Sequence, residues 1–193
     1  MSRTTDDRTA TGTSPLDDQA RRLERATGLD ALADSLDHVA AAVVPRPGRL
    51  HDELRGRSLG HPAHGVLTDL PVGLWAATAL LDVTRPTDHR PAARRLLGLG
   101  VLASVPTALT GLTDFNALGP AARRVAAVHA AVNGFGNLLA TGSWLARRRG
   151  RHGAGTALTL GALAVAGAGA YLGGHIAQSL HEPTSVPGAT PRG

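Results

Sequence analysis

Residues 154–180 read AGTALTLGALAVAGAGAYLGGHIAQSL, a run without Asp, Glu, Lys or Arg. A bilayer core requires a helix of about 17–25 predominantly apolar residues. A soluble helix of that length needs a polar face, which a scatter of Ser, Thr, Gly and a few neutral polar residues does not supply. The run therefore predicts a membrane-spanning helix. The same criterion selects three more segments, about Gly65 to Val83, Leu96 to Thr113 and Val125 to Ala146. Asp69 and Asp82 lie near the ends of the first, the next two are uncharged, and the last of them stops at Arg147, Arg148 and Arg149. Pro106 is tolerable in the second, because neighbouring helices can satisfy the carbonyl that a proline frees. Short connectors make successive helices antiparallel. The expected fold is all-α: an integral membrane antiparallel four-helix bundle over residues 59–182, multi-pass in the cell membrane. Ala162, Ala166, Ala170 and Gly174 recur every four residues, with Gly169 and Gly173 alongside. Such a ridge of small side chains allows close helix packing.

Outside the bundle the chain is polar. Its 193 residues suffice for one domain plus tails, and a mean hydropathy near zero conceals the exclusion of charge from the long runs. Cysteine is absent, which excludes disulfides, thiolate metal sites and an iron–sulfur cluster held by this chain's own thiolates. All 20 basic residues are arginine, and they gather in connectors beside apolar runs without aromatic residues for base stacking. That pattern fits membrane flanks and argues against nucleic acid. Residues 1–14 are too poor in apolar groups to order and, with residues 183–193, are expected to be disordered tails. The acidic N-terminus has no apolar core, so no secretory signal peptide is expected.

Residues 15–58 form a third kind of segment. Ser14-Pro15, followed by Asp17 and Asp18, has the form of a helix start. Leu29, Leu32, Leu36, Val39 and Val43 then give one apolar stripe at spacings of three and four, the mark of an amphipathic helix that does not span. Gly28 is a point of interruption, Pro45 to Gly48 read as a hinge, and Arg49 to Arg57 as a basic linker.

Antiparallel connectivity brings particular helix ends to one face. His61 and His64 precede the first spanning segment, Asp69 sits one turn into it, and Asp114 ends the second. His129 lies near the start of the third, and His175 near the end of the fourth. At ~1.5 Å rise per residue both lie roughly 6–8 Å below the same surface. His129, Asn133 and Asn137 share one helix face, and Thr107, Thr110 and Asp114 make a weaker stripe. Ionisable groups inside a membrane are costly and mark a cofactor, an ion path or a proton relay, although such side chains also serve simply to join helices.

Three kinds of site fit these residues. His129 and His175 at matched depth suit the axial ligation of a b-type haem, with His61, His64, Asp69, Asp114 and Asn133 around it. A quinone pocket would use the same groups without a metal. Alternatively, His61, His64 and a third histidine would hold a divalent metal. No catalytic activity of the chain's own is expected, and membrane electron transfer is the leading role. A non-catalytic membrane anchor or assembly module, recruiting a protein through the Leu29 to Val43 stripe, is the alternative. The candidate partners are the lipid bilayer, a redox protein and a second copy of the chain.

At these residues the chain resembles DUF2231, a family of membrane proteins of uncharacterised role. The resemblance covers about Leu59 to Gln178. It rests on Gly60-His61-Pro62-Ala63-His64, Asp69-Leu70-Pro71-Val72-Gly73-Leu74-Trp75, Ala108-Leu109-Thr110-Gly111-Leu112-Thr113-Asp114, Val128-His129-Ala130 and Tyr171-Leu172-Gly173-Gly174-His175. Similar members often carry a fused C-terminal Rieske ferredoxin domain, which implies membrane-associated electron transfer for those forms. This chain departs from them in ending about a dozen residues after His181 and in lacking cysteine, so the resemblance implies redox company but no cluster.

Orientation has opposing cues. Arg85, Arg90, Arg94 and Arg95, then Arg147, Arg148, Arg149 and Arg151, outnumber Arg123 and Arg124. The positive-inside rule puts the richer loops in the cytoplasm and the histidine layer outside. The long N-terminal segment, with Arg55 and Arg57 next to the first span, would keep that layer inside.

Overall fold

The computed structural model describes residues 14–84 and 87–180. The two expected tails, apart from Ser14, therefore lie outside the described residues, as do Arg85 and His181. Among the described residues every regular element is a helix.

Helix α1 (Pro15–Arg25) opens on a reciprocal cap. Ser14 Oγ accepts from the Asp17 N–H at 3.1 Å, and the Asp17 carboxylate accepts from the Ser14 N–H at 3.2 Å, which satisfies two of the end donors that a helix leaves over. Gly28 falls in a single 3-10 turn, Thr27–Leu29, so the amphipathic segment is two helices, α1 and α2 (Asp30–Val43). After the proline hinge come the short α3 (Arg49–Leu54) and a turn at Gly56, where φ is +92°. A side chain there would strike the His61 carbonyl oxygen, 1.8 Å from the position of a Cβ.

Four long helices follow: α4 (Ala63–Thr84), α5 (Arg90–Phe115), α6 (Pro120–Arg148) and α7 (His152–Ser179). α4, α5 and α6 each contain one of the expected apolar runs, extended at both ends by a few residues, and α7 covers the fourth from two residues before its expected start to Ser179. Of the four, α4, α5 and α7 are long and apolar enough to cross a membrane. α6, expected as a fourth span, is not among them. It is long, but His129, Asn133 and Asn137 interrupt its apolar run.

Packing is dominated by two hairpins. α4 lies chiefly against α5, and α6 chiefly against α7, with lighter contact of α5 with α6 and of α4 with α7. α1 and α2 lie against α6, reaching α7 and α5 respectively, and α3 touches α4 and α5. Side-chain size is distributed inside out. The core is Trp75, Leu97 and the alanines Ala140, Ala162 and Ala166, with Thr78, Thr110, Thr113, Ser143 and Thr159 fully buried. Leu80, Leu102, Val105, Phe135 and Leu138 are exposed. A soluble monomer rarely shows so much large apolar surface; helices in lipid pack through small and hydroxyl-bearing residues and turn their large ones outward.

Two prolines sit inside these helices, Pro71 in α4 and Pro106 in α5. Pro71 has no N–H to give the Leu67 carbonyl. Thr107 of α5 makes good the loss, its Oγ1 donating to Leu67 O at 3.1 Å. Glycines admit large groups from the facing helix: Trp75 against Gly100 and Trp144 against Gly98.

Candidate functional site: two imidazoles at the hairpin seam

His64 leaves the first turn of α4 and reaches α5. Its Nδ1 donates to the Thr107 carbonyl at 2.9 Å, and its ring lies on Gly111, where a Cβ would come within 2.8 Å of Cε1. His129 leaves α6 and reaches α7. Its Nδ1 donates to the Gly169 carbonyl at 2.8 Å, and its ring lies on Gly173, with 3.0 Å between Cε1 and a Cβ position. The two rings meet edge to face, with centroids 6.1 Å apart and planes at 80°.

Asn133, one turn along α6, donates from Nδ2 to His129 Nε2 at 2.9 Å and sits against Gly169, which has no side chain to block it. Asn137 continues the stripe. Its Nδ2 donates to Asn133 O at 3.0 Å, while its Oδ1 is buried with no hydrogen-bond partner. Thr110 Oγ1 adds a third donor to the Thr107 carbonyl region at 2.8 Å. Asp114 borders this group, 3.9 Å from Arg55 Nε.

The other residues singled out by sequence lie elsewhere. His175 is buried but turns to α1, its Nε2 2.7 Å from Glu24 Oε1. His61 and Asp69 are exposed. Among the described residues no three His, Asp or Glu side chains converge in a group that could hold a metal ion. The structure thus brings His64, His129 and Asn133 together, with Asp114 at the margin.

Against this geometry, a family model for DUF2231, described as a predicted membrane protein, matches residues 60–181. The chain belongs to the DUF2231 family. No curated protein and no solved structure matches it. The matched region opens at Gly60, just before the first imidazole, and contains α4 to α7 complete.

This DUF2231 chain also has a polar centre at the other end of the helices that the sequence reading missed. Arg147 and Asp82 form a bidentate pair, at 2.8 Å through Nη1 and 2.5 Å through Nη2, with side chains only 1% and 7% exposed. Thr156 Oγ1 donates to Asp82 at 3.0 Å, and Arg147 also reaches Ser143 and Thr159. Gly155 leaves room for the arginine stem, 2.6 Å from Cγ to a Cβ position. Arg147 reads in sequence as one of three flanking arginines. The available signal was Asp82, a carboxylate inside an apolar run that requires a partner.

Also missed was the ionic attachment of the N-terminal helices. Asp30 accepts from Arg124 at 2.6 Å and 3.1 Å, Asp37 pairs with Arg123, and Tyr171 donates to Asp17 at 2.7 Å. The Tyr171 hydroxyl and the Ser14 cap hold the Asp17 carboxyl below its ordinary value, and the Arg124 guanidinium does the same for Asp30.

Proposed function

We propose that α4 to α7 form an antiparallel four-helix bundle in the cell membrane and bind a redox cofactor, haem b or a quinone, at the seam between the two hairpins. The proposed role is membrane electron transfer. Opposed contact order supports the topology: His64 meets Thr107 and Thr78 meets Ala93, while His129 meets Gly169 and Ser143 meets Gly155. Light packing between the hairpins leaves the seam as the interface that a flat ligand can part.

The observation that carries the reading is the imidazole pair. The ring centres of His64 and His129 are 6.1 Å apart, and each ring directs its Nδ1 to a backbone carbonyl, as metal-bound histidines do. His64 and His129 are therefore the residues that would hold the group, with His64 in place of His175, which turns away to Glu24 of α1, and a haem would require Asn133 to release the His129 Nε2 that it engages here. Bound there, haem would carry one electron at a time. The chain's own contribution is to fix both rings, to offer Asn133 and Asn137 along one edge, and to surround the group with apolar helices.

The test is an absorption spectrum of the full chain purified in detergent, before and after added haemin. A Soret band in the native protein that is lost in His64→Ala and in His129→Ala is the expected result. A colourless protein that takes up no haemin, and from which solvent extracts no quinone, would overturn the proposal.

A further inference from the structure

We infer that α2 is an interfacial helix of the same bilayer that α4 to α7 cross, with its apolar stripe, Leu32, Val39 and Val43, seated in lipid at the headgroup boundary. The occupant of that stripe is acyl chain, not a soluble protein. This rests on the reading of α4 to α7 as a membrane bundle and extends it to the N-terminal segment.

Four strips run along α2. Leu32, Val39 and Val43 are 40%, 49% and 51% exposed, and at about 100° per residue they share an arc of roughly 40°. Ala33 and Ala40 lie about 80–100° further round and are buried, Ala33 against Phe115, Ala126 and Ala127. Next, at about 140–160°, come Asp37 and Asp30, paired with Arg123 and Arg124. Asp34 and His38, at about 200–240°, are exposed and complete the circuit. The buried strip therefore has the apolar stripe on one flank and the ion pairs on the other. Packing against the bundle alone would put the apolar residues on the buried strip itself, where alanines stand instead.

Position along α6 turns this order into a direction. Asp30 and Asp37, two turns apart on α2, bind adjacent arginines of α6, so α2 crosses α6 rather than running beside it. Arg123 and Arg124 precede Ala126 and Ala127 by three residues, roughly 4.5 Å further out along the helix. The ion-paired flank of α2 thus points out of the bundle toward water, and the apolar flank points back along its side toward the apolar runs. The level is that of the membrane boundary, because the same cluster takes in Phe115 at the end of α5 and Ile176 in the last turn of α7. A helix with one apolar and one charged side lies in the plane of that boundary, its apolar side about 5–10 Å into it. A soluble partner arriving from water would meet the outward strip first, and that strip carries Asp34 and His38.

The chain has no cysteine, so a nitroxide can be attached at one introduced cysteine at a time. The test uses the full chain in phosphatidylcholine nanodiscs and compares relaxation of each label by oxygen, which concentrates in lipid, with relaxation by a nickel chelate confined to water. Labels at Leu32→Cys, Val39→Cys and Val43→Cys are expected to respond several-fold more to oxygen than to the chelate, and labels at Asp34→Cys and His38→Cys the reverse. Leu102→Cys, exposed in the middle of α5, reports the lipid-facing surface of the bundle. If Leu102→Cys meets oxygen while Val39→Cys and Val43→Cys meet the chelate, the inference is overturned and the membrane bundle stands, which is the result of a stripe that awaits a soluble protein. Stripe labels shielded from both reagents also overturn it, and show that a second copy of the chain covers the stripe. A response to the chelate at Leu102→Cys overturns the membrane bundle, and the inference with it.

Discussion

Thr107 shows how much a single side chain carries in this bundle. Its hydroxyl serves the Leu67 carbonyl that Pro71 leaves without a donor, and its own carbonyl receives His64. Replacing Thr107 with Val keeps the volume and removes the donor, at a cost of about 1–2 kcal/mol for a membrane interhelical hydrogen bond and its orphaned acceptor. In a Pro71→Ala background the Leu67 carbonyl regains its helical donor, so the same substitution should cost less. A double-mutant cycle on thermal unfolding in detergent measures the difference; equal costs in the two backgrounds would show that Thr107 acts elsewhere. At this scale the sequence was only half legible. Depth along a helix follows from residue count, so His129 and His175 read as neighbours. Direction around the helix does not follow from depth. His175 is two positions from Gly173, roughly 200° around the axis at 3.6 residues per turn, so it cannot share the face that receives His129. The glycines were the missing signal, because a glycine beneath a ring marks the face that another helix approaches.

Between elements, the hairpins are joined at the end away from His64 and His129 by Asp82 of α4 and Arg147 of α6. Both side chains are almost wholly removed from solvent, and removing one partner of such a pair leaves an uncompensated buried charge, typically at about 3–5 kcal/mol. Asp82→Asn and Arg147→Met should each lower the unfolding temperature strongly, whereas the double replacement Asp82→Leu with Arg147→Met should recover most of the loss. If the double variant is as unstable as the singles combined, Thr156 and Ser143 depend on the pair for their own satisfaction and the network is one unit. The helices themselves were readable, because a chain in lipid must satisfy every backbone group internally and so announces its spans by excluding charge. α6 is the exception that proves informative. The polar stripe that takes it below the apolarity of its neighbours is the stripe that meets α7.

For the molecule as a whole, the N-terminal helices are part of the domain they precede. α2 buries Ala33 and packs Leu36 with Phe115, Ala126 and Ala127, leaving Leu32, Val39 and Val43 of the expected stripe exposed. The stripe was legible; its division between core and surface was not, since that depends on Phe115 and Ile176 arriving from distant helices. Attachment also runs through Asp17 and Asp30, and this gives it a sign with pH. Both carboxyls titrate below their ordinary value of 3.8 when docked, so protonation favours the undocked state. Their contribution is complete above pH 3.8 and is lost as pH falls through the lower docked values, with more protons bound on release. From these groups no change is expected between neutral pH and about pH 5, where a free carboxyl of this type is already ionised. Hydrogen exchange of α1 and α2 in the full chain, followed through that interval and then into acid, measures it. Protection should persist to about pH 5 and fall only in the acid limb, earlier in Asp17→Asn and Asp30→Asn. Because the Asp30–Arg124 ion pair is exposed to solvent, high salt should weaken it as well. Loss of protection already in the neutral range would mean that a group other than these carboxylates controls the attachment.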